Sequence, residues 1–412
     1  MTLRNDSGRI IAAAIESALP DTAVARVLKN KTFPGRVLLV AVGKAAWQMA
    51  NTAADILGDT ISEGIVITKY AHSRGPIART AIHEAGHPVP DRNSVLAAEA
   101  ALKLTEALRP DDTVLFLLSG GGSALFEKPL IPASELQDIT KQLLASGADI
   151  VEMNIVRKRL SAVKGGRFAL HCRPANVFAI VLSDIIGDPL DMIASGPAYP
   201  DASTCGQALE IAARYGLRLS EEAMACMRNE TPKALDNVET IVTGSVKQLC
   251  ASAEATCETL GYRPMVLTDS LCCTARDAGS FLASIARRHA ATDTPLAFIA
   301  GGETVVHLKG TGKGGRNQEL ALAAAEGIAG LHHTAVFSVG SDGTDGPTDA
   351  AGGYVDGETA GVLSKAGISI HGELENNNAY VALEQCGGLI KTGATGTNVN
   401  DLSVLLIGRA QK

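Results

Sequence analysis

Three carboxylates fall within eight residues at Asp342, Asp345 and Asp349, in the turn-forming run Ser341-Asp-Gly-Thr-Asp-Gly-Pro-Thr-Asp349. Carboxylates crowded in this way repel unless a cation neutralises them. Hard oxygen donors suit Mg2+, which is ordinarily held by one or two carboxylates together with substrate phosphates. The run therefore predicts a centre for a divalent cation and phosphate with Asp342, Asp345 and Asp349 as metal ligands, and Glu303 available from another strand end. A solvated polar turn is the competing reading, since Asp and Gly are common turn residues. The EF-hand spacing and its terminal glutamate are absent.

Groups that hold anions lie elsewhere in the chain. Ser119-Gly120-Gly121-Gly122-Ser123 offers three residues without side chains and two hydroxyls after an apolar run, so backbone amides can close around a phosphate or carboxylate. Lys44 follows Gly43 at a strand-to-helix turn, where an ammonium and helix amides both attract oxyanions. Arg316 and Asn317 open a helical stretch after Gly310-x-Gly312-x-x-Gly315, and the arginine fork suits a phosphate or carboxylate. The glycines of 310–315 make that segment a candidate lid.

Rival motifs are present but incomplete. His83-Glu-Ala-Gly-His87 has the zincin letters, yet Gly86 and the prolines at 88 and 90 break the helix that zinc chemistry needs. The 310–315 glycines formally match a dinucleotide fingerprint, which keeps an NAD(P)H-dependent reductase as the alternative, although His307 and Lys309 are unsuited to a central Rossmann strand. Neither a Walker loop nor a Gly-x-Ser-x-Gly elbow is matched. A non-catalytic sensor of nucleotides or small anions is a third reading.

Each of these polar loops follows a short apolar run: 36–42 before Lys44, 114–118 before Ser119, 177–182 before Asp184, 296–300 before Glu303 and 335–339 before Asp342. Such runs, alternating with Ala/Leu-rich helical stretches, predict an α/β fold with mostly parallel sheets covered on both faces, and ligands at the carboxyl ends of the strands. The stretch from Asn229 to Asn237 is polar and contains a proline, which places a domain boundary near Leu235, with domains at 1–235 and 236–412.

With 412 residues and 46% hydrophobic content, the chain has material for a large core, and its net charge of -7 argues against a nucleic-acid partner. No apolar run reaches the roughly 20 residues of a membrane span, so no membrane partner is expected. Residues 10–15 read as one face of an amphipathic helix. Eight cysteines without a Cys-x-x-Cys pair fit a reducing cytoplasm.

Taken together and in order, Val42-Gly-Lys-Ala-Ala46, Ala85-Gly-His-Pro-Val-Pro-Asp91, Ser119-Gly-Gly-Gly-Ser-Ala124, Val156-Arg-Lys158, Lys164-Gly-Gly166, Leu182-Ser-Asp184, Ile193-Ala-Ser-Gly-Pro197, Gly301-Gly-Glu-Thr304, Gly314-Gly-Arg-Asn-Gln-Glu319, Thr344-Asp-Gly-Pro-Thr-Asp-Ala-Ala-Gly352 and Gly396-Thr-Asn-Val-Asn-Asp401 resemble the class II glycerate kinases, the glycerate 2-kinase family with a MOFRL domain. The resemblance spans nearly the whole chain. It implies an N-terminal Rossmann-like three-layer domain, a smaller C-terminal α/β domain with a mixed sheet, and an active site in the cleft between them. It also implies ATP, Mg2+ and D-glycerate, a 2-phosphoglycerate product, and functional roles for Lys44 and Arg316. Family members have carried the older label hydroxypyruvate reductase. Arg159 stands where the family's Arg-Lys-His run has a histidine. On this reading Lys44, Arg316 and Asp184 are catalytic, Asp184 orienting the attacking hydroxyl. Ser119 to Ser123, Glu303 and Asn317 bind substrate or phosphate. A homo-oligomer is left open.

Overall fold

The structure is a computed structural model in which residues 2–409 are described. The chain divides into two compact units: Ala23–Ser183 with Asp188–Thr243, and Met1–Thr22 with Asp184–Gly187 and Gly244–Lys412.

The first unit is built on six parallel strands: β1 (Val37–Val42), β2 (Ile61–Lys69), β3 (Thr80–Ala85), β4 (Thr113–Leu118), β5 (Asn176–Val181) and β6 (Val238–Val242), in the order β3-β2-β1-β4-β5-β6. Strands such as Val37-Leu-Leu-Val-Ala-Val42 are buried on both faces, which is why they read as continuous apolar runs rather than alternating ones. Alternate residues go to opposite layers. Val40 and Val42 pack with Phe116 and Phe168, whereas Leu39 and Ala41 pack with Met49 and Ala53 of the helix Ala46–Leu57. β6 pairs with β5, so the first sheet runs past Leu235 and takes in the strand at 238–242.

The second unit holds β7 (Arg263–Leu271), β8 (Leu296–Gly302), β9 (Thr334–Gly340), β10 (Gly352–Asp356), β11 (Leu389–Ile390) and β12 (Asp401–Ile407), ordered β11-β10-β9-β12-β8-β7. This sheet is mixed. β7 and β8 are parallel, while β12 runs antiparallel to both β8 and β9. The helix Leu3–Ala18 belongs to this unit. Its stripe Ile10, Ile11, Ala14 and Ala18 packs with Leu249, Cys250 and Ala253 of the helix Val246–Thr259, and Thr397 donates to the Ala18 carbonyl at 2.7 Å. Full burial of each isoleucine contributes about 1.5–3 kcal/mol, which ties the first helix to a sheet far away in sequence.

Among the described residues no helix is long and apolar enough to cross a membrane.

Candidate active site

In the parallel sheet the chain moves outward from β1 to β2 and β3, then returns to lay β4 on the other side of β1. Open sheets bind ligands where the strand order reverses in this way. The loops leaving β1 and β4 carry Lys44 and the Ser119 to Ser123 run. They are joined directly: the Lys44 amide donates to the Gly120 carbonyl at 2.9 Å, and Ser119 Oγ accepts from the Ala45 amide at 3.1 Å. Gly43 has φ of 123° and lies so close to Ser119 that any Cβ there would collide with it.

Among the described residues, the amides of Gly120, Gly121, Gly122 and Ser123 have no hydrogen-bond partner, and the Lys44 ammonium pairs with no carboxylate. Backbone donors are nearly always paired in folded proteins, so four consecutive open ones form a surface suited to an oxyanion. The helix Gly122–Leu125 is a single turn, so the local amides attract the anion without a macrodipole. Gly121 has φ of 88°, and a Cβ there would stand 3.0 Å from His87 Cδ2 and 3.2 Å from Lys44 Cγ.

His83 and Glu84 lie in β3, not on a helix, and Glu84 accepts from the Ser73 amide at 3.0 Å. Asp184 follows β5, is partly buried, and groups with the second unit. Arg159, at the position that departs from the family's run, is fully buried. It pairs with Asp201 at 3.2 Å and Glu230 at 3.2 Å and donates to the Ser203 carbonyl at 2.8 Å, so it ties two surface segments to its helix.

In the mixed sheet, β12 lies between β8 and β9, and its register sets Asp401 opposite both Gly302 and Gly340. The first residue of β12 therefore meets the last residues of its two neighbours. Arg316, the first residue of the helix Arg316–Gly327, forks onto Asp401 with Nε to Oδ2 at 2.5 Å and Nη2 to Oδ1 at 3.0 Å. Its Nη1 donates to Glu303 at 2.7 Å, and Glu303 also accepts from Asn400 at 3.2 Å. Burial pushes the Arg316 pKa down, but the Asp401 hydrogen bonds and charge outweigh it, and the net shift is upward. Asp401 and Asn400 were not singled out as site residues in the sequence. The motif Gly396 to Asp401 was visible, whereas the partner of Asp401 depends on strand register.

The three aspartates of the turn do not converge. Asp345 is buried and accepts from the Asn317 amide at 3.2 Å and the Gln318 amide at 2.8 Å, capping the helix that begins at Arg316. Desolvation raises its pKa to about 6 against those bonds. A Cβ on Gly315 would collide with this carboxylate. Asp349 is exposed, accepts from Tyr380 at 2.7 Å and Lys391 at 2.8 Å, and has its pKa drawn down to about 2, first by Lys391. Asp342 takes the Thr344 amide at 2.9 Å on one oxygen. No group of three or more His, Cys, Asp or Glu among the described residues could hold a metal ion, so the expected three-aspartate cage is not assembled. Asn317 is buried; its carbonyl accepts from Ser338 at 2.5 Å and its amide reaches Asp345 at 3.4 Å, so it supports the turn.

The 310–315 segment is not a free lid. Asn377 Oδ1 accepts from the amides of Lys309 and Gly310 at 2.8 and 3.0 Å, Asn376 Oδ1 from Thr311 at 3.2 Å, and Asn378 Oδ1 from Lys313 at 3.0 Å. The Rossmann fingerprint lacks its context too, since β8 ends at Gly302 and the glycines follow an irregular stretch pinned by asparagines.

Residues 6–228 match a family described as a domain of unknown function (DUF4147), and residues 296–401 match the MOFRL family. The chain is 52% identical over 404 residues to a D-glycerate 2-kinase of Thermotoga maritima, covering 97% of each, and 39% identical over 435 residues to a glycerate 2-kinase of Pyrococcus horikoshii, covering 99% of this chain and 98% of the relative. A crystal structure of a glycerate kinase from Thermotoga maritima superposes with a TM-score of 0.94 at 51% identity, covering 98% of this chain and 99% of that one.

Proposed function

The chain belongs to the glycerate 2-kinases with DUF4147 and MOFRL domains, and from that membership we propose that it transfers the γ-phosphoryl group of ATP to the 2-hydroxyl of D-glycerate. The observation that carries the reading is the set of open amides from Gly120 to Ser123 beside the unpaired Lys44 ammonium. Phosphoryl transfer asks a protein mainly for alignment and for neutralisation of the phosphate oxygens.

Lys44 and the amide cradle hold either the transferring phosphate or the glycerate carboxylate. Arg316 is oriented by Asp401, and its contact with the half-exposed Glu303 is the one an incoming phosphate oxygen replaces. Asp184 orients the attacking hydroxyl. The donor set suits a Mg2+ bound largely by nucleotide phosphates with Asp342 as its protein carboxylate, because Asp345 and Asp349 are committed elsewhere. When bound, the ion neutralises charge on the transferring group. Eight free thiols, with Cys272 and Cys273 exposed, suit a reducing cytoplasm.

The test supplies ATP, Mg2+ and D-glycerate and passes the product to enolase without a mutase. Phosphoenolpyruvate is expected, because enolase accepts only the 2-phospho isomer. A signal that appears only after mutase is added would move the transfer to the 3-position, and no ADP release would overturn the kinase reading.

A further inference from the structure

Beneath the cradle lies an ion group that the reaction above does not use. Lys164 is fully buried and donates from Nζ to the Ser123 carbonyl at 2.8 Å and to the Phe126 carbonyl at 3.1 Å. Arg157 Nη2 donates to the same Ser123 carbonyl at 3.1 Å. The carboxylate facing both cations is Glu127, itself buried, at 3.4 Å from Lys164 and 3.8 Å from Arg157. Neither Glu127 oxygen makes a hydrogen bond. Two cations against one loosely held carboxylate leave an excess positive charge in the interior, an arrangement that costs several kcal/mol and that apolar packing would avoid.

The other polar group of Ser123 is fixed as well. Ser195 donates its proton to Asn154 Oδ1 at 2.8 Å and so accepts from Ser123 Oγ at 3.1 Å. Ala194 and Ser195 both adopt left-handed backbone, with φ of 50° and 62°, a strain of roughly 1–3 kcal/mol each that persists only where the surroundings impose it. What imposes it includes the turn after Lys164. The Gly165 amide donates to the Ser195 carbonyl at 3.0 Å and the Gly166 amide to the Gly196 carbonyl at 2.7 Å.

We propose that Lys164, assisted by Arg157, is a positioning residue for the anion cradle: it draws the Ser123 carbonyl inward, leaves the Gly120 to Ser123 amides open, and keeps positive charge beneath the bound anion. This rests on reading those amides as the anion site. The charge is also titratable. Burial lowers the Lys164 pKa to about 8, Glu127 opposing the shift and Arg157 adding to it. Anion affinity therefore falls as pH rises through that value, because the ammonium is lost.

Sulfate is a suitable probe, since its own charge is constant above neutral pH. Its Kd is measured by calorimetry from pH 6 to 10 for the whole protein and for Lys44→Met, Lys164→Met and Glu127→Gln, with melting curves to establish folding. The wild type should bind more weakly through a midpoint near pH 8. Lys164→Met should bind about tenfold more weakly at pH 6.5, lose that midpoint, and raise KM for the anionic substrate more than it lowers kcat. Glu127→Gln should move the midpoint to lower pH. A Lys164→Met protein that follows the wild-type curve, or an unmoved midpoint in Glu127→Gln, overturns the role of Lys164. Should Lys164→Met not fold, Glu127→Gln decides. Equal sulfate binding by the wild type and Lys44→Met would instead remove the cradle reading itself.

Discussion

Arg316 and Asp401 are locked by two hydrogen bonds of 2.5 and 3.0 Å, although 85 residues separate them in the chain. The pairing comes from topology, because an antiparallel strand inserted between β8 and β9 must present its first residue where its neighbours end. A guanidinium held on one edge keeps its other hydrogens aimed in fixed directions.

Asp401→Asn retains one acceptor and loses the charge-assisted fork. Its kcat/KM is expected to fall about 100-fold, as misplacement of a catalytic group by about 1 Å does. Arg316→Lys should fall at least as far, since an ammonium cannot span both carboxylate oxygens. Steady-state kinetics check both, and kcat/KM within twofold of wild type in Asp401→Asn would remove its orienting role.

The divergence of the three aspartates separates their roles. In Asp342→Asn the Mg2+ concentration for half-maximal rate should rise about tenfold, the effect of losing one carboxylate from an ion held mainly by phosphates. Asp349→Asn should leave that concentration unchanged, because its oxygens face Tyr380 and Lys391. A Mg2+ titration of both variants that showed the reverse order would place the ion at the wrong end of the turn.

The cradle is also testable through its narrowest glycine. Gly121→Ala puts a methyl at positive φ and 3.0 Å from His87, so the loop must shift or close. KM for the anionic substrate should rise by about tenfold or more, the effect of losing one or two hydrogen bonds to a charged group. Unchanged KM would mean that no anion sits there.

The five apolar runs that end in polar loops were legible because strands buried on both faces cannot hide their composition; all five are strands here. The Lys44 turn and the Ser119 to Ser123 loop lie at neighbouring strand ends because β1 and β4 are adjacent, a pairing that the runs themselves do not specify. Less legible was everything set by packing across long separations. The short polar strand β6 reads as the start of something new, yet it pairs with β5. Nothing local in Leu3–Ala18 says that its apolar stripe belongs with Leu249 and Val399. The three asparagines that clamp residues 309–313 look like an ordinary loop until their partners are seen, and the same polarity that made Asp342, Asp345 and Asp349 resemble a metal cage sends each to a different partner.

Asn377 makes two of the four side-chain bonds of that clamp. It holds two amides with its carbonyl oxygen, donates to the His307 carbonyl and to Glu319, both at 3.2 Å, and sits at φ of 53°. Asn377→Ala loses these bonds and strains the backbone, a cost of about 2–4 kcal/mol, whereas Asn377→Gly loses the bonds without the strain. Hydrogen exchange at 309–313 should quicken in both, and the alanine variant should melt lower. Unaltered protection in that segment would show that the clamp does not hold it.

Asp345 gives the protein a pH signature. Its pKa is about 6 in the folded state against an ordinary value of 3.8, chiefly because burial disfavours the charge. A raised carboxyl pKa means that the folded state binds the proton more tightly, so stability falls as pH rises from about 4 to about 6 and is level above that. The loss from this group is on the order of 3 kcal/mol. Asp401 also titrates high through burial, but it is present in both proteins when wild type is compared with Asp345→Asn. The asparagine still accepts one helix amide and carries no proton equilibrium, so its penalty is constant with pH. Urea unfolding at pH 4.5 and 7, followed by far-ultraviolet circular dichroism, should therefore show the wild type losing more stability than Asp345→Asn across that interval. Parallel losses would mean that Asp345 ionises normally and that the amides of Asn317 and Gln318 compensate its burial in full.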